Sequence, residues 1–144
     1  MERLLFTIII IFTLYSNINS QELSDGKLVK SSDSDHIFLI FNGKAHHIPD
    51  MVTYNRLFIE NPKQENFSLL DLEVLPKGNA LEGAKLIKAD NFAVYLQYGE
   101  FKHHITSPEV FNYFQFDWNK IVLVKDEELF RFKTLSPITI VQNK

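Results

Sequence analysis

The sequence predicts a small α+β fold, rich in β-structure, made of two tandem pseudo-symmetric strand–hairpin–short-helix–strand units packed as one domain. Two observations carry this reading. First, His-His-Ile occurs twice, in KAHHI at 44–48 and FKHHI at 101–105, so that His104 follows His47 by 57 residues. At that spacing Tyr54-Asn55 falls on Phe111-Asn112, Leu57 on Phe114, Ile59 on Phe116 and Leu72 on Leu129, with no gap. Second, each His-His-Ile follows an apolar run and a glycine turn, the pattern of a β-hairpin. A chain of 144 residues fits one domain.

The elements follow in the same order in each unit. DGKLVK at 25–30 resembles EGAKLIK at 82–88, and LVK or LIK is a short first strand. HIFLIF at 36–41 and FAVYLQY at 92–98 are the next strands, and each leads through a turn, Asn42-Gly43 or Tyr98-Gly99, into the strand that ends in HHI. Gly99 stands one residue farther from its His pair than Gly43 does, which predicts a longer or bulged second turn. SPEVFNYF at 107–114 reads as a short helix with Ser107 as N-cap and Pro108 at the first helical position. PDMVTYNRLF at 49–58 is its counterpart, capped by Asp50. FSLL at 67–70 and KIVLV at 120–124 are further strands, DEELFRF a turn or helical loop, and ITIV at 138–141 the last strand. The units run over about 24–81 and 82–138, with a short tail.

Residues 1–20 read as a signal peptide. Arg3 precedes an apolar run from Leu4 to Leu14, and the segment ends in polar residues up to Ser20. Cleavage there leaves 21–144 as an exported protein, periplasmic, cell-surface or secreted. The alternative is an uncleaved leader, the one route by which the chain is expected to touch a membrane. The chain has no Cys, which excludes disulfides, thiol chemistry and cysteine zinc sites. Its 13 Phe residues supply a core instead. The net charge of −3, with no basic stretch, excludes a nucleic-acid backbone binder.

The run VYLQYGEFKHHITSPEVFNYFQFDW at 94–118 resembles a repeat recurrent in secreted and cell-envelope bacterial proteins. Its pattern is an aromatic strand, a Gly turn, a basic residue before His and Ile, Ser-Pro, Phe-Asn, and an aromatic-Asp-Trp ending. The first unit departs from it, with Glu60-Asn61 in place of Asp-Trp. The resemblance implies an exported repeat module and no catalytic activity.

The candidate ligand-binding residues are His46, His47, His103, His104, Tyr98 and Trp118. Strand alternation places His46 with Ile48 and His103 with Ile105 at the edge of the core, while His47 and His104 face solvent or a cross-strand neighbour. One ion cannot be held by adjacent strand histidines, so a metal site needs one His from each unit. The metal reading takes His47 with His104, and Asp33 or Asp35 to complete the set. The alternative for the histidines is a repeated scaffold residue bonded to backbone. Trp118 is either part of a core cluster or a stacking platform, and Tyr98, at a turn, is the better candidate for an exposed ring. SSDSD at 31–35 lacks the glycine and distal Glu of a calcium loop, and KDEE at 125–128 reads as a solvated helix start. No nucleophile elbow, Gly-rich phosphate loop or HExxH is present. The expected function is a non-catalytic binding or adhesion module of the envelope or extracellular space, without cofactor, its ligand an envelope polysaccharide or a protein. Two alternatives stand beside it: a small His/carboxylate hydrolase using His103 or His104, and a His-based metal-binding accessory protein.

Overall fold

The computed structural model describes residues 23–90 and 93–140; the proposed leader, the tail after 140, Asn91 and Phe92 lie outside them. The first half contains β1 (Leu28–Ser31), β2 (Ile37–Phe41), β3 (Lys44–Ile48), helix α1 (Met51–Leu57), β4 (Glu65–Phe67) and helix α2 (Leu69–Glu73). The second contains β5 (Lys85–Lys88), β6 (Val94–Tyr98), β7 (Phe101–Ile105), helix α3 (Pro108–Tyr113), a 3-10 turn (Trp118–Lys120), β8 (Val122–Leu123), helix α4 (Asp126–Leu129) and β9 (Lys133–Ile138). The sheets have the orders β3-β2-β1-β4 and β8-β5-β6-β7-β9. Read from opposite ends these are one topology, with β9 added beyond β7. The molecule is a small, β-rich α+β domain of two pseudo-symmetric units.

The register explains why the 57-residue spacing carries structure. Leu39 stands opposite His46 and Leu28, and Leu96 opposite His103 and Leu86. The hairpins and helices therefore match at 57 residues and the first strands at 58. One residue is dropped from the connection between first and second strands in the second half.

Both hairpins turn in two residues, because Phe41 pairs with Lys44 and Tyr98 with Phe101. The expected longer second turn is not found. Instead the glycine has changed place within a turn of constant length. Asn42 and Gly43 both take the left-handed conformation (φ 52° and 69°), the pattern of a type I′ turn. In the second turn only the first central residue, Gly99, does so (φ 51°), the pattern of type II′, which needs glycine there.

The helix starts are as expected. The Asp50 carboxylate accepts from the Thr53 amide at 2.7 Å, and the Ser107 hydroxyl from the Val110 amide at 3.2 Å with Pro108 behind it. Each such cap is worth about 1 kcal/mol. Two other expectations are corrected. FSLL is strand only at Phe67: Ser68 and Asp71 form a capping box that starts α2 at Leu69. The last strand is not ITIV but Lys133–Ile138, running parallel to β7 from Phe101 to Ile105; of the expected run only Ile138 is in strand, and Val141 lies outside the described residues.

The inner faces of the sheets share one core. Leu28, Leu39, Phe41 and Ile48 of the first half join Leu86, Leu96, Tyr98 and Ile105 of the second, with Leu57, Phe58, Phe111, Phe114 and Phe116. The outer faces have small clusters of their own, Val29 and Ile40 with Leu72, and Ile87 with Leu129. Beyond the helices the halves pair directly. Phe58 and Phe116 form an antiparallel bridge, with the Ile59 amide bonded to the Gln115 carbonyl (3.0 Å) and the Asp117 amide to the Leu57 carbonyl (2.9 Å). Antiparallel contact between near-equivalent segments is what a two-fold relation requires. Neither half could bury its sheet and helix face alone, so the two are one body.

Candidate functional site

A cavity of about 340 Å³ opens between the halves, with Phe41, His46 and Asn79 on one side and Tyr98, His103 and Ser136 on the other. The spacing of 57 relates these residues in pairs, so the cavity sits on the pseudo-axis. His46 and His103 project from β3 and β7 on the faces shared with Ile48 and Ile105, and both are buried. Each is held by the equivalent main-chain group of the segment beside its strand. His46 Nδ1 is 3.0 Å from the Asn79 carbonyl, and His103 Nδ1 is 2.7 Å from the Ser136 carbonyl. A carbonyl only accepts, so Nδ1 donates in both rings and Nε2 is left as the acceptor.

The segments that provide these carbonyls differ. Ser136 belongs to β9. Asn79 belongs to an irregular stretch, in which the Pro76 carbonyl accepts from Ala45 and the Gly78 amide donates to Ala45. Pro76 has no amide to offer a ladder and Gly78 has no side chain to pack, so strand structure is lost where β9 keeps it. Gly78 has a further role: a Cβ there would lie well inside contact distance of the His46 ring.

The pairing of Phe41 with Tyr98 breaks the symmetry. The Tyr98 hydroxyl is 2.9 Å from His103 Nε2 and donates to it. Phe41 stacks on His46 at 3.7 Å with nearly parallel rings but has no hydroxyl. His46 Nε2 is consequently the one buried side-chain nitrogen or oxygen without a hydrogen-bond partner among the described residues.

Burial lowers the pKa of both histidines. For His46 it outweighs the Asn79 and Phe41 carbonyls, which favour the charged ring, and His103 adds repulsion; for His103 it outweighs the Ser136 carbonyl. Burial raises the Tyr98 phenol, partly offset by the Asn79 side chain. In a folded protein with depressed His pKa values the unfolded chain binds more protons on acidification. Stability from this source is therefore complete above the ordinary value of 6.5 and lost as pH falls below it. The melting temperature is expected to fall steadily from pH 7 to pH 5. In His103→Gln that slope flattens; an unchanged slope in thermal melts would contradict the assignment.

The other candidate residues lie in two grooves that the pseudo-symmetry relates, each at the junction from the HHI strand to its helix. His47 lines the first, of about 510 Å³, with His36, Asp35 and Asp50. His104 and Trp118 line the second, of about 260 Å³, against Phe111. His47 and His104 are thus in different grooves, which corrects the expected metal pair. Alternation along β3 and β7 turns them away from the axis that His46 and His103 face. Asp33 is also unavailable: its carboxylate accepts from the Leu69 amide at the start of α2.

Trp118 is neither core nor open platform. It is 47% exposed, with one face stacked on Phe111 at 3.9 Å and its indole N–H donated to the Asn112 side chain at 2.7 Å. Tyr98, expected to be exposed, is 3% exposed, because it continues the inward face of Val94 and Leu96. No carboxylate lines the central cavity or the second groove, so neither His103 nor His104 has an acid beside it there. Among the described residues no group of three or more His, Asp or Glu side chains could hold a metal ion, and no helix is long and apolar enough to cross a membrane. No family model, curated protein or solved structure matches the chain.

Proposed function

We propose that the chain is an internally duplicated, exported, non-catalytic binding module, and that the cavity between its halves takes a sugar residue of an envelope or extracellular polysaccharide. The observation that carries this reading is the cavity itself, shared by both halves and lined by polar groups of mixed sense. Its volume is at the small end of ligand pockets. Asn42, Asn79, Tyr98 and Ser136 offer donors and acceptors around Phe41, and hydroxyl groups, which both donate and accept, suit such a wall. Lys44 at the rim makes no ion pair among the described residues, and with no carboxylate opposite it the lining favours uronic acids over amino sugars. Two buried histidines kept neutral by their surroundings favour binding over acid–base chemistry, which needs a paired carboxylate or a pKa near the working pH.

A glycan array of bacterial polysaccharides, probed with the wild-type protein, Ser136→Trp and Lys44→Ala, tests this. Ser136 and Lys44 are exposed, so both variants should keep the wild-type melting temperature. The expected result is binding to a subset of acidic glycans, abolished by the Trp that fills the mouth and weakened by loss of Lys44. Absence of glycan binding, or binding that survives Ser136→Trp, would overturn the reading.

A further inference from the structure

His36 and His47 form a contact that the other half lacks. His36 Nδ1 and His47 Nε2 are 3.0 Å apart, and the rings are tilted by 57° with centroids at 5.0 Å. The register explains how they meet. The two-residue turn pairs Phe38 with His47, and His36 is the diagonal neighbour on the same face, within reach of a long or ring side chain. Phe38 packs beside both rings, 5.3 Å from His47 and 6.5 Å from His36. At the equivalent position of the second half stands Ala93, and His104 faces the Tyr95 ring.

We propose that the His36 and His47 imidazoles bind a late first-row divalent cation, Cu²⁺ most tightly. Two nitrogens each about 2.0–2.1 Å from one ion stand about 2.9 Å apart at a right angle and about 3.3 Å apart at the tetrahedral angle. The observed 3.0 Å falls between these values, so the nitrogens already have the separation of a chelating pair, and binding an ion requires the rings to turn toward a common point and give up their mutual hydrogen bond. Neutral imidazole suits Cu²⁺, Ni²⁺ and Zn²⁺, with Cu²⁺ highest in the affinity order. Burial and the neighbouring His36 both lower the pKa of His47, which keeps its lone pair free for an ion.

The remaining positions are open to water; Asp35 does not stand with the two rings as a ready-made third ligand and would have to swing in. That carboxylate is adjacent in sequence, lines the same groove and is fully exposed. Its present partner is Lys30 at 3.4 Å, a surface pair of the kind that contributes little and yields to a metal. Asp50, also in the groove, is committed to capping α1. A site of two imidazoles with solvent and one mobile carboxylate is exchangeable, suited to capturing a free ion at the surface rather than to holding a structural one. It is independent of the sugar-binding cavity, and each can fail without the other.

The test is titration of the tag-free protein with Cu²⁺ and Zn²⁺, by calorimetry and by Cu²⁺ electron paramagnetic resonance, for wild type, His36→Ala, His47→Ala and His104→Ala. One Cu²⁺ per chain is expected, with hyperfine splitting from two equivalent nitrogens. Affinity should fall at least tenfold in either first-groove variant and stay unchanged in His104→Ala. Thermal melts without metal establish that all variants are folded; His36 is exposed and His47 half-buried, so a loss of binding cannot be a loss of fold. No Cu²⁺ uptake up to millimolar concentration, or uptake that survives both His36→Ala and His47→Ala, would overturn the site.

Discussion

Phe116→Ala is expected to cost about 3–5 kcal/mol and to unfold both halves together. Phe116 is buried to within 1% and stands where the halves pair, with Phe58 at 5.7 Å, Phe114 at 5.6 Å and Phe111 at 5.5 Å. Its backbone bridges to Phe58. Truncation opens a cavity among rings held by both helices and by the antiparallel contact, so the site cannot collapse from one side only. Against a total stability of about 5–15 kcal/mol for a domain of this kind, the loss takes a large share. Denaturant unfolding followed by Trp118 fluorescence, which reports the second half, and by far-ultraviolet dichroism, which reports both, should move together. A shift under about 1 kcal/mol, or two separated transitions, would contradict a shared core.

Gly78→Ala is expected to be the most damaging small substitution at the cavity. The new methyl would occupy the space of the His46 ring, which is stacked on Phe41 and held by the Asn79 carbonyl. The ring cannot retreat without losing that hydrogen bond, and the 76–81 segment cannot retreat without losing its bonds to Ala45 and His47. Overpacking of this kind costs about 1–3 kcal/mol. Gly43→Ala serves as the comparison: its Cβ would meet nothing, so its cost is confined to the left-handed backbone (φ 69°). A melting temperature for Gly78→Ala equal to wild type would show that the segment yields more easily than its contacts indicate.

The parts of the fold that were legible in the sequence are those set by local chemistry. The turn Asn42-Gly43, the caps Asp50 and Ser107, and the HHI strands all carry their instructions within a few residues, whereas the second turn, read as a longer one at Tyr98-Gly99, is the two residues Gly99-Glu100. The helix α2 was equally legible, since Ser68 and Asp71 spell a capping box, but the apolar FSLL run suggested a strand in its place. The pairing of β9 beside β7 was not legible. Lys133–Ile138 has weak alternation and contains Pro137, and only contact with a strand some thirty residues earlier makes it a strand.

At the site, alternation correctly placed His46 and His103 inward, and the same rule applied to Val94, Leu96 and Tyr98 would have buried Tyr98. Nothing in the residues around His36 marks it, because its partner is across the strand pair. Counting back from the turn, Phe41 with Lys44 and then Phe38 with His47, brings it beside His47. The break between Phe41 and Tyr98 lies in plain view in the sequence. Its consequence, an unpaired Nε2 on His46 alone, depends on distances that spacing does not contain.

Two equivalent histidines face one cavity as neutral rings, each fixed by a main-chain carbonyl. Long-range ¹H–¹⁵N nuclear magnetic resonance of the imidazoles at pH 7 measures this directly. His46 and His103 should both appear neutral, with the proton on Nδ1 and Nε2 unprotonated, and should charge only at a lower pH than solvent-exposed imidazoles do. Either ring carrying its proton on Nε2, or charging at an ordinary pKa, would contradict the cavity described here.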